Sequence, residues 1–359
     1  MISDFLIIGG GIAGISAAAR LSHIGKVTVL EAEANLAHHA SSRSAAMFLP
    51  HYGPPAIVAL SNASADYLHN TNGGVLSPRG LLTVAGPTQG DVFKRETAAM
   101  AQRQISVAEG VALFPILNPK AVGFAGYSEA GWDLDTDLLI QNFAREARGN
   151  GASFQTNARV TGLERTAAGW RARTADGEYS GSVLINAAGA WVNVVAELAR
   201  ISSPQFMPLR RSMARIPAPG GLDVSSWPLV DGAGEGWYAK PDAGALIVSP
   251  AEEFLMEPHD AWADDMVLAE GLARYEAMVT EPVTRLLSSW AGLRTFSPDR
   301  TPVVGRDSAD PTFFWLAGQG GYGFQSAPAI SQLVADLLAA RPSELDKHTV
   351  AALSPARFV

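Results

Sequence analysis

From Asp4 the chain runs Phe-Leu-Ile-Ile, then Gly9-Gly10-Gly11-Ile12-Ala13-Gly14, an alanine-rich stretch, and Lys26-Val-Thr-Val-Leu-Glu31. This order reads as strand, glycine turn, helix, strand and acid, and it leaves few folds open. Gly9, Gly11 and Gly14 hold the G-x-G-x-x-G positions: the first permits a tight turn, the second a close approach of pyrophosphate, and the third helix-on-strand packing. The triplet alone is weak evidence, because glycine turns are common. Its weight comes from the strand before it, the helix after it and the acid that ends the second strand, all within roughly 30 residues. Amides near Ile12 and Ala13 open the helix, where its dipole favours negative charge. Glu31 is positioned to accept hydrogen bonds from ribose hydroxyls, and an acid there argues against a 2′-phosphate. A dinucleotide is the predicted ligand.

At 359 residues and 47% apolar content the chain has material for about two buried cores. Its net charge of -8, with no basic block, favours neither nucleic acid nor anionic membrane as a partner, and none is expected. Without cysteine it has no disulfide, thiolate metal site or cysteinyl flavin link. The apolar run Phe5 to Ala19 lacks a basic leader, and its glycines keep fingerprint spacing, so it reads as strand and helix. No other run approaches the roughly 18 apolar residues of a membrane span. A cytoplasmic protein without an integral membrane segment is expected.

Further along, His38-His39 lies in a polar loop with no partner at metal-ligand spacing, so these histidines read as solvated. Arg43-Ser44-Ala45-Ala46 reads as a helix start, with Ser44 as cap and phosphate contact. Helices are predicted over 54–69, 89–103, 136–148, 261–279 and 324–340, the last with Pro328 in its first turn. Strands are predicted over 80–85, 153–155, 159–165, 170–174, 182–186, 290–296 and 312–317. Alternation over 206–216 and 227–249, with a hairpin at Pro241-Asp-Ala-Gly244, points to an antiparallel sheet covered on one face. The segment around Phe114-Pro115 and Asn118-Pro119 reads as loop leaving the first domain. Gly-rich turns at Asn186 to Trp191 and Gly318 to Gly323 close strands as the first turn does.

With these pieces placed, the sequence resembles the FAD-dependent D-amino-acid oxidoreductases of the glycine-oxidase type, the nearest pattern being catabolic D-arginine dehydrogenase. The segments that carry the resemblance are Ile7 to Gly14, Arg43 to Ala46, Leu76 to Arg79, Asn186 to Trp191, Pro208 to Ser212, Tyr238 to Gly244, Trp290 to Arg294 and Gln319 to Gly323. The resemblance implies an α/β fold: a Rossmann-like FAD-binding domain of the glutathione-reductase type, with an inserted α+β substrate domain built on an antiparallel sheet. The first would take residues 1–78, 138–203 and 296–359, and the second 79–137 and 204–295. Non-covalent FAD would be held by Gly9, Gly11, Ile12, Ala13, Gly14, Glu31, Ala32, Arg43, Ser44, Ala45, Ala46, Val160, Ala188, Gly189 and Trp191. Arg294, Gly320, Gly321, Tyr322, Gly323, Phe324 and Gln325 would complete that set. Pro302 to Gly305 would pack near the flavin ring.

By the same resemblance Arg211 and Arg294 hold the substrate carboxylate, with the hydroxyls of Tyr52 and Tyr238. A guanidinium fork suits a carboxylate, and a Tyr hydroxyl adds a donor without charge. The substrate pocket would include Met47, Leu49, Leu82 and Gly320. Met47 and Leu49 stand where the D-arginine enzyme presents His and Thr, and Leu81 or Leu82 replaces its acid. A cationic side chain would lose its counter-charge there, and burying it unpaired costs several kcal/mol. The implied reaction is oxidative deamination of an uncharged, mainly apolar D-amino acid, with oxygen or a quinone taking the electrons. Alternatives are a secondary-amine substrate such as sarcosine, proline or a betaine-derived amino acid, a flavin-bearing subunit of a multi-protein dehydrogenase, and an NAD-dependent dehydrogenase.

Overall fold

The computed structural model describes residues 2–234 and 236–359. Ile2–Ile8 is the central strand of an eight-stranded sheet. It pairs in parallel with Val27–Leu30 on one side and with Gly177–Asn186 on the other. Ser153–Gln155 extends the sheet beyond Val27–Leu30, and Phe313–Ala317 joins it parallel to Gly177–Asn186. This parallel core is apolar on both faces. On one face Ile7 and Val29 are buried with the helices Ile12–Leu21, Pro55–Asn70, Thr136–Gly149 and Gly323–Leu338. On the other, Leu6 and Leu184 pack with Trp170, Trp315 and the Val192–Ala199 helix. Strands buried on both sides are what a doubly wound sheet requires.

A second, nine-stranded sheet runs from Phe254–Leu255 through Met207–Pro217, Ala245–Ser249, Trp237–Asp242 and Leu229–Gly232 to Leu81–Ala85, Phe124–Ser128 and Arg103–Ile105, with Ser288–Phe296 also pairing Met207–Pro217. It is mixed rather than wholly antiparallel, because Leu229–Gly232 pairs in parallel with Leu81–Ala85. The hairpin lies where its sequence requires: Asp242 pairs with Ala245, and Ala243 and Gly244 both take positive φ, 44 and 76. The architecture is therefore mixed α/β, a Rossmann-like FAD-binding unit with a sheet-rich second unit. Among the described residues no helix is long and apolar enough to cross a membrane.

Several expected elements differ. Arg43 to Ala46 is not a helix start: a short 3-10 turn covers Ala40–Ser42, and the chain then enters the two-residue strand Met47–Phe48. Arg43 is drawn instead to the second sheet, where it donates to the carbonyls of Ala261 and Ala291 and pairs with Asp260. The helix expected to reach Arg103 stops at Ala99, because Ala101 adopts φ 51 and the Gln102 amide caps the carbonyl of Thr97. No glycine marks that stop. The helix expected over 261–279 spans only Asp265–Glu276, capped by Asp264, whose carboxylate accepts from the amides of Met266 and Val267.

Helix Val107–Leu113, opened by a Ser106–Glu109 capping box, is not among the expected helices and leads into the segment around Phe114-Pro115 that reads as loop. Pro302 to Gly305 contributes to the strand Val303–Arg306, and Lys347–Leu353 forms a helix beyond the one expected to be last. Pro328 lies past the first turn of Gly323–Leu338, and the adjacent Ala329 amide is taken by Ser64 Oγ at 3.1 Å.

Candidate active site

Ile8 and Asn186 stand side by side at the carboxyl edge of the parallel sheet, where open α/β sheets bind ligands. Gly9 has φ 108, and a side chain on it would overlap the Ala187 carbonyl; one on Gly14 would overlap the carbonyl of Gly9. Packing therefore demands both glycines. Gly11 differs, since an added Cβ would meet only Ser41 Oγ, at 3.2 Å. The Ile12–Leu21 helix has no acid in its first turn and no capping side chain, and the Ile12 amide donates to Ser41 Oγ at 3.0 Å. Its positive end faces an opening.

That opening is a slot made of two adjoining cavities. The first, about 280 Å³, is lined by Gly9, Gly11, Glu31, Ala32, Val160, Ala188, Gly189 and Trp191. The second, about 130 Å³, is lined by Gly11, Ile12, Ala13, Arg43, Ser44, Arg211, Arg294, Gly320, Gly321, Gly323 and Phe324. Gly11, Ser41 and Arg43 border both. The shape runs from the acid that ends the second strand, across a helix N-terminus, to a buried arginine, as an extended dinucleotide requires. Glu31 Oε2 accepts from the Gly10 amide at 2.7 Å and Oε1 from the Glu33 amide at 2.9 Å. A carboxylate oxygen accepts more than once, so capacity remains for hydroxyls.

His38 and His39 are not simply solvated. Glu33 folds back so that its carboxylate and ring nitrogens of both histidines lie within 4.8 Å of one another. His39 Nε2 lies 3.2 Å from Glu33 Oε1, and its ring tilts against Trp191. Burial lowers its pKa, opposed by Glu33. Arg159 already pairs with the same Glu33 oxygen at 2.9 Å, so the group reads as an ion-pair network at the mouth of the slot.

Arg294, on the strand Ser288–Phe296, is half-buried and lines the second cavity. Burial opposes its charge, yet the fields of Tyr238, Tyr52, Glu253 and Tyr322 outweigh it and raise its pKa above the ordinary value. No described residue makes a hydrogen bond or ion pair to its guanidinium. Gly321 runs beside it, so that a Cβ there would lie 3.1 Å from Nη1. Arg211 is engaged: Nε donates to the Glu252 carbonyl at 3.0 Å and Nη2 to Glu253 Oε1 at 3.1 Å. The sequence offers no signal for that pairing, since residues 252–253 come from another strand's exit.

Beside Arg294 lies an apolar cluster of Leu49, Leu81 and Leu229, flanked by Met47, Tyr52, Met100 and Tyr238. Tyr238 donates to Met213 Sδ at 3.2 Å, and the rings of Tyr52 and Tyr322 stack obliquely at 5.2 Å. Leu82 is not part of this cluster. It faces the opposite side of its strand, fully buried with Val84, Phe114 and Ile116, because adjacent strand residues alternate faces. Gln325 likewise lines neither cavity. It receives the Leu49 amide at 3.3 Å and donates to the Tyr52 carbonyl and to Ser61 Oγ, pinning the 49–52 turn to the last long helix. Ala45 and Ala46 also lie outside the slot's lining, and the Ala46 carbonyl accepts from Lys240 Nζ. Ser41 and Leu81 are the residues that sequence reasoning missed or left open. Ser41 bears no motif, and the face of Leu81 depends on register.

The Rossmann-like unit, its elongated slot and the sheet beside it define an FAD-dependent oxidoreductase. The family model described as "DAO: FAD dependent oxidoreductase" matches residues 4–337, and the chain belongs to that family. The tRNA 5-methylaminomethyl-2-thiouridine biosynthesis bifunctional protein MnmC of Thiobacillus denitrificans is 28% identical over 382 residues; the match takes in 98% of this chain but only 59% of the relative's length. Glycine oxidase from Geobacillus kaustophilus superposes with a TM-score of 0.83 at 21% identity, covering 98% of both chains. L-Proline dehydrogenase from P. horikoshii superposes at 0.85 and 22% identity, over 99% of this chain and 98% of that one.

Proposed function

We propose that the protein oxidises the Cα–N bond of an amino acid with an uncharged, mainly apolar side chain, of D configuration as the resemblance implies. The observation that carries this reading is Arg294: a half-buried cation lining the cavity, with no direct ion pair among the described residues, set near Tyr52, Tyr238 and Tyr322 with Glu253 acting from further off. A desolvated guanidinium is best matched by a carboxylate. Tyr52 would add a neutral donor, as would Tyr238 by turning its hydroxyl from Met213 Sδ, and the Leu49, Leu81 and Leu229 cluster offers no charge to a basic side chain. FAD, when bound in the slot lined by Gly11, Glu31, Ser44 and Gly321, would supply the two-electron acceptor for oxidation at Cα. Arg294 fixes the carboxylate end so that Cα has one orientation, which is the main service a protein gives such chemistry. The amine would enter neutral and leave as the imine, which water would convert to 2-keto acid and ammonia.

On this reading residues 1–78, 138–203 and 296–359 form the FAD-binding domain and the remainder the substrate domain. The electron acceptor is oxygen or a quinone. A secondary amine is the second reading, favoured by the methylaminomethyl group named for the MnmC relative; the carboxylate contact would be the same. Anaerobic addition of single amino acids to the yellow holoprotein separates them. Bleaching by apolar D-amino acids, with D-arginine inert, supports the main reading. Bleaching by sarcosine or proline alone replaces it with the second, and protein that takes up no FAD overturns both.

A further inference from the structure

Glu253 stands among three guanidiniums. Its Oε1 accepts from Arg300 Nη2 at 2.9 Å and from Arg211 Nη2 at 3.1 Å, and it contributes to the field on Arg294. Burial opposes its charge, but Arg300, Arg211 and Arg294 outweigh that and hold its carboxyl below the usual range. The Nε–Nη2 edge of an arginine is the fork that grips a carboxylate side-on. On Arg211 that edge is filled from within the chain, by the Glu252 carbonyl and Glu253. On Arg294 no described residue fills it, and the side chain lines the second cavity. Arg211 and Arg294 lie on one face of paired strands, Arg211 opposite Gly292 and Leu209 opposite Arg294, and both line the same cavity. The site is thus built with two carboxylate forks and one internal carboxylate that closes the second.

Resting on the reading of Arg294 as the substrate's carboxylate partner, we propose that Glu253 is a specificity-determining residue: by occupying the fork of Arg211 it restricts the site to substrates carrying one carboxylate. Without its charge Nη2 of Arg211 is released to the second carboxylate of an amino dicarboxylic acid, while Nε stays on the Glu252 carbonyl. Arg300, at the surface side of Glu253 and 42% exposed, holds the closing carboxylate in place. A purely structural ion pair would alter stability and leave the preference between mono- and dicarboxylates unchanged.

The test uses the FAD-loaded protein and two unreactive probes, acetate and malonate, followed by perturbation of the flavin absorbance. In the wild type malonate binds no more tightly than acetate. Glu253→Ala raises the malonate-to-acetate affinity ratio about tenfold, Glu253→Asp keeps the wild-type ratio, and Arg300→Gln moves it in the same direction as Glu253→Ala by less. An unchanged ratio in both Glu253→Ala and Arg300→Gln, or a wild type that already prefers malonate, overturns the proposal. Probe binding needs no turnover, so a wild type that binds acetate yet is reduced by no amino acid defeats the oxidation reading while leaving this one standing.

Discussion

Arg211 and Arg294 project from one face of neighbouring antiparallel strands, displaced by two residues along the pairing, yet only Arg211 has a carboxylate partner of its own. The resemblance to D-amino-acid oxidoreductases assigns both the same task. Their surroundings differ: Arg211 is paired with Glu253, and Arg294 makes no ion pair among the described residues. Hydrogen bonds to charged groups contribute about 1.5–3 kcal/mol, and about 1.4 kcal/mol is tenfold. Arg294→Lys therefore lowers kcat/KM on the order of 100-fold, mostly through KM, while Arg211→Lys lowers it less than about tenfold. Steady-state kinetics at matched FAD content check both; equal losses would mean that Arg211 also grips the substrate.

Neighbouring glycines in the last turn separate fold from function. Gly320 has φ 52, and a side chain there would overlap the ring of Phe296, which is buried. Gly320→Ala is expected to cost about 2 kcal/mol or more, read as a lower denaturant midpoint. Gly321 has no positive φ, and its added Cβ would meet only the Arg294 guanidinium, at 3.1 Å. Gly321→Ala keeps the midpoint within about 0.5 kcal/mol of wild type and raises KM as the guanidinium shifts by a few tenths of an ångström.

Leu81 and Leu82 test the face assignment directly. Leu82 is buried in the far core with Val84 and Phe114, so Leu82→Ala costs about 2–5 kcal/mol and leaves the ranking of substrates unchanged. Leu81 meets Leu49 and Leu229 beside Tyr238. Leu81→Ala changes the ranking, favouring bulkier apolar side chains, as kcat/KM across an amino-acid series would register. Identical effects of the two substitutions would place the substrate elsewhere.

What could be read before folding was what is local. The Gly9 to Gly14 turn carries its reasons within six neighbouring residues, and the Rossmann-like unit follows from them. The Thr136–Gly149 helix is legible because Asp135 caps it and its apolar spacing is regular. Arg294 was found through a segment pattern, whereas its lack of a partner needed the fold. Glu253 lies far in sequence from Arg300 and meets it only after the sheet closes. Leu81 and Leu82 differ by one step of a period-2 pattern, and both are leucine, so only the register with Phe124–Ser128 and Leu229–Gly232 decides which faces the tyrosines. The stop at Ala101 lacks a glycine, its turn being held by the Gln102 amide on the Thr97 carbonyl and by Gln102 Nε2 on the Leu81 carbonyl, and the turn at Ser41 bears no signal because its contact, to the Ile12 amide, is tertiary.

Asp299 anchors the C-terminal end of the chain and should be visible in the pH dependence of stability. Burial works against its charge, but Arg357 Nε at 2.7 Å, Ser297 Oγ at 2.8 Å and the Thr301 amide at 3.1 Å together pull its carboxyl from 3.8 down to about 2. A depressed carboxylate pKa contributes stability that is complete above the unfolded value of 3.8 and is lost as pH falls through about 2. The side chain is 42% exposed, so solvent screening reduces the contribution to about 1 kcal/mol. Urea unfolding of wild type and Asp299→Asn should show that gap, constant between about pH 8 and 5 and narrowing only below 3.8. A gap that already closes between pH 6 and 5 would assign the effect to a histidine instead, and one absent at pH 7 would mean that Arg357 finds another acceptor when the charge is removed.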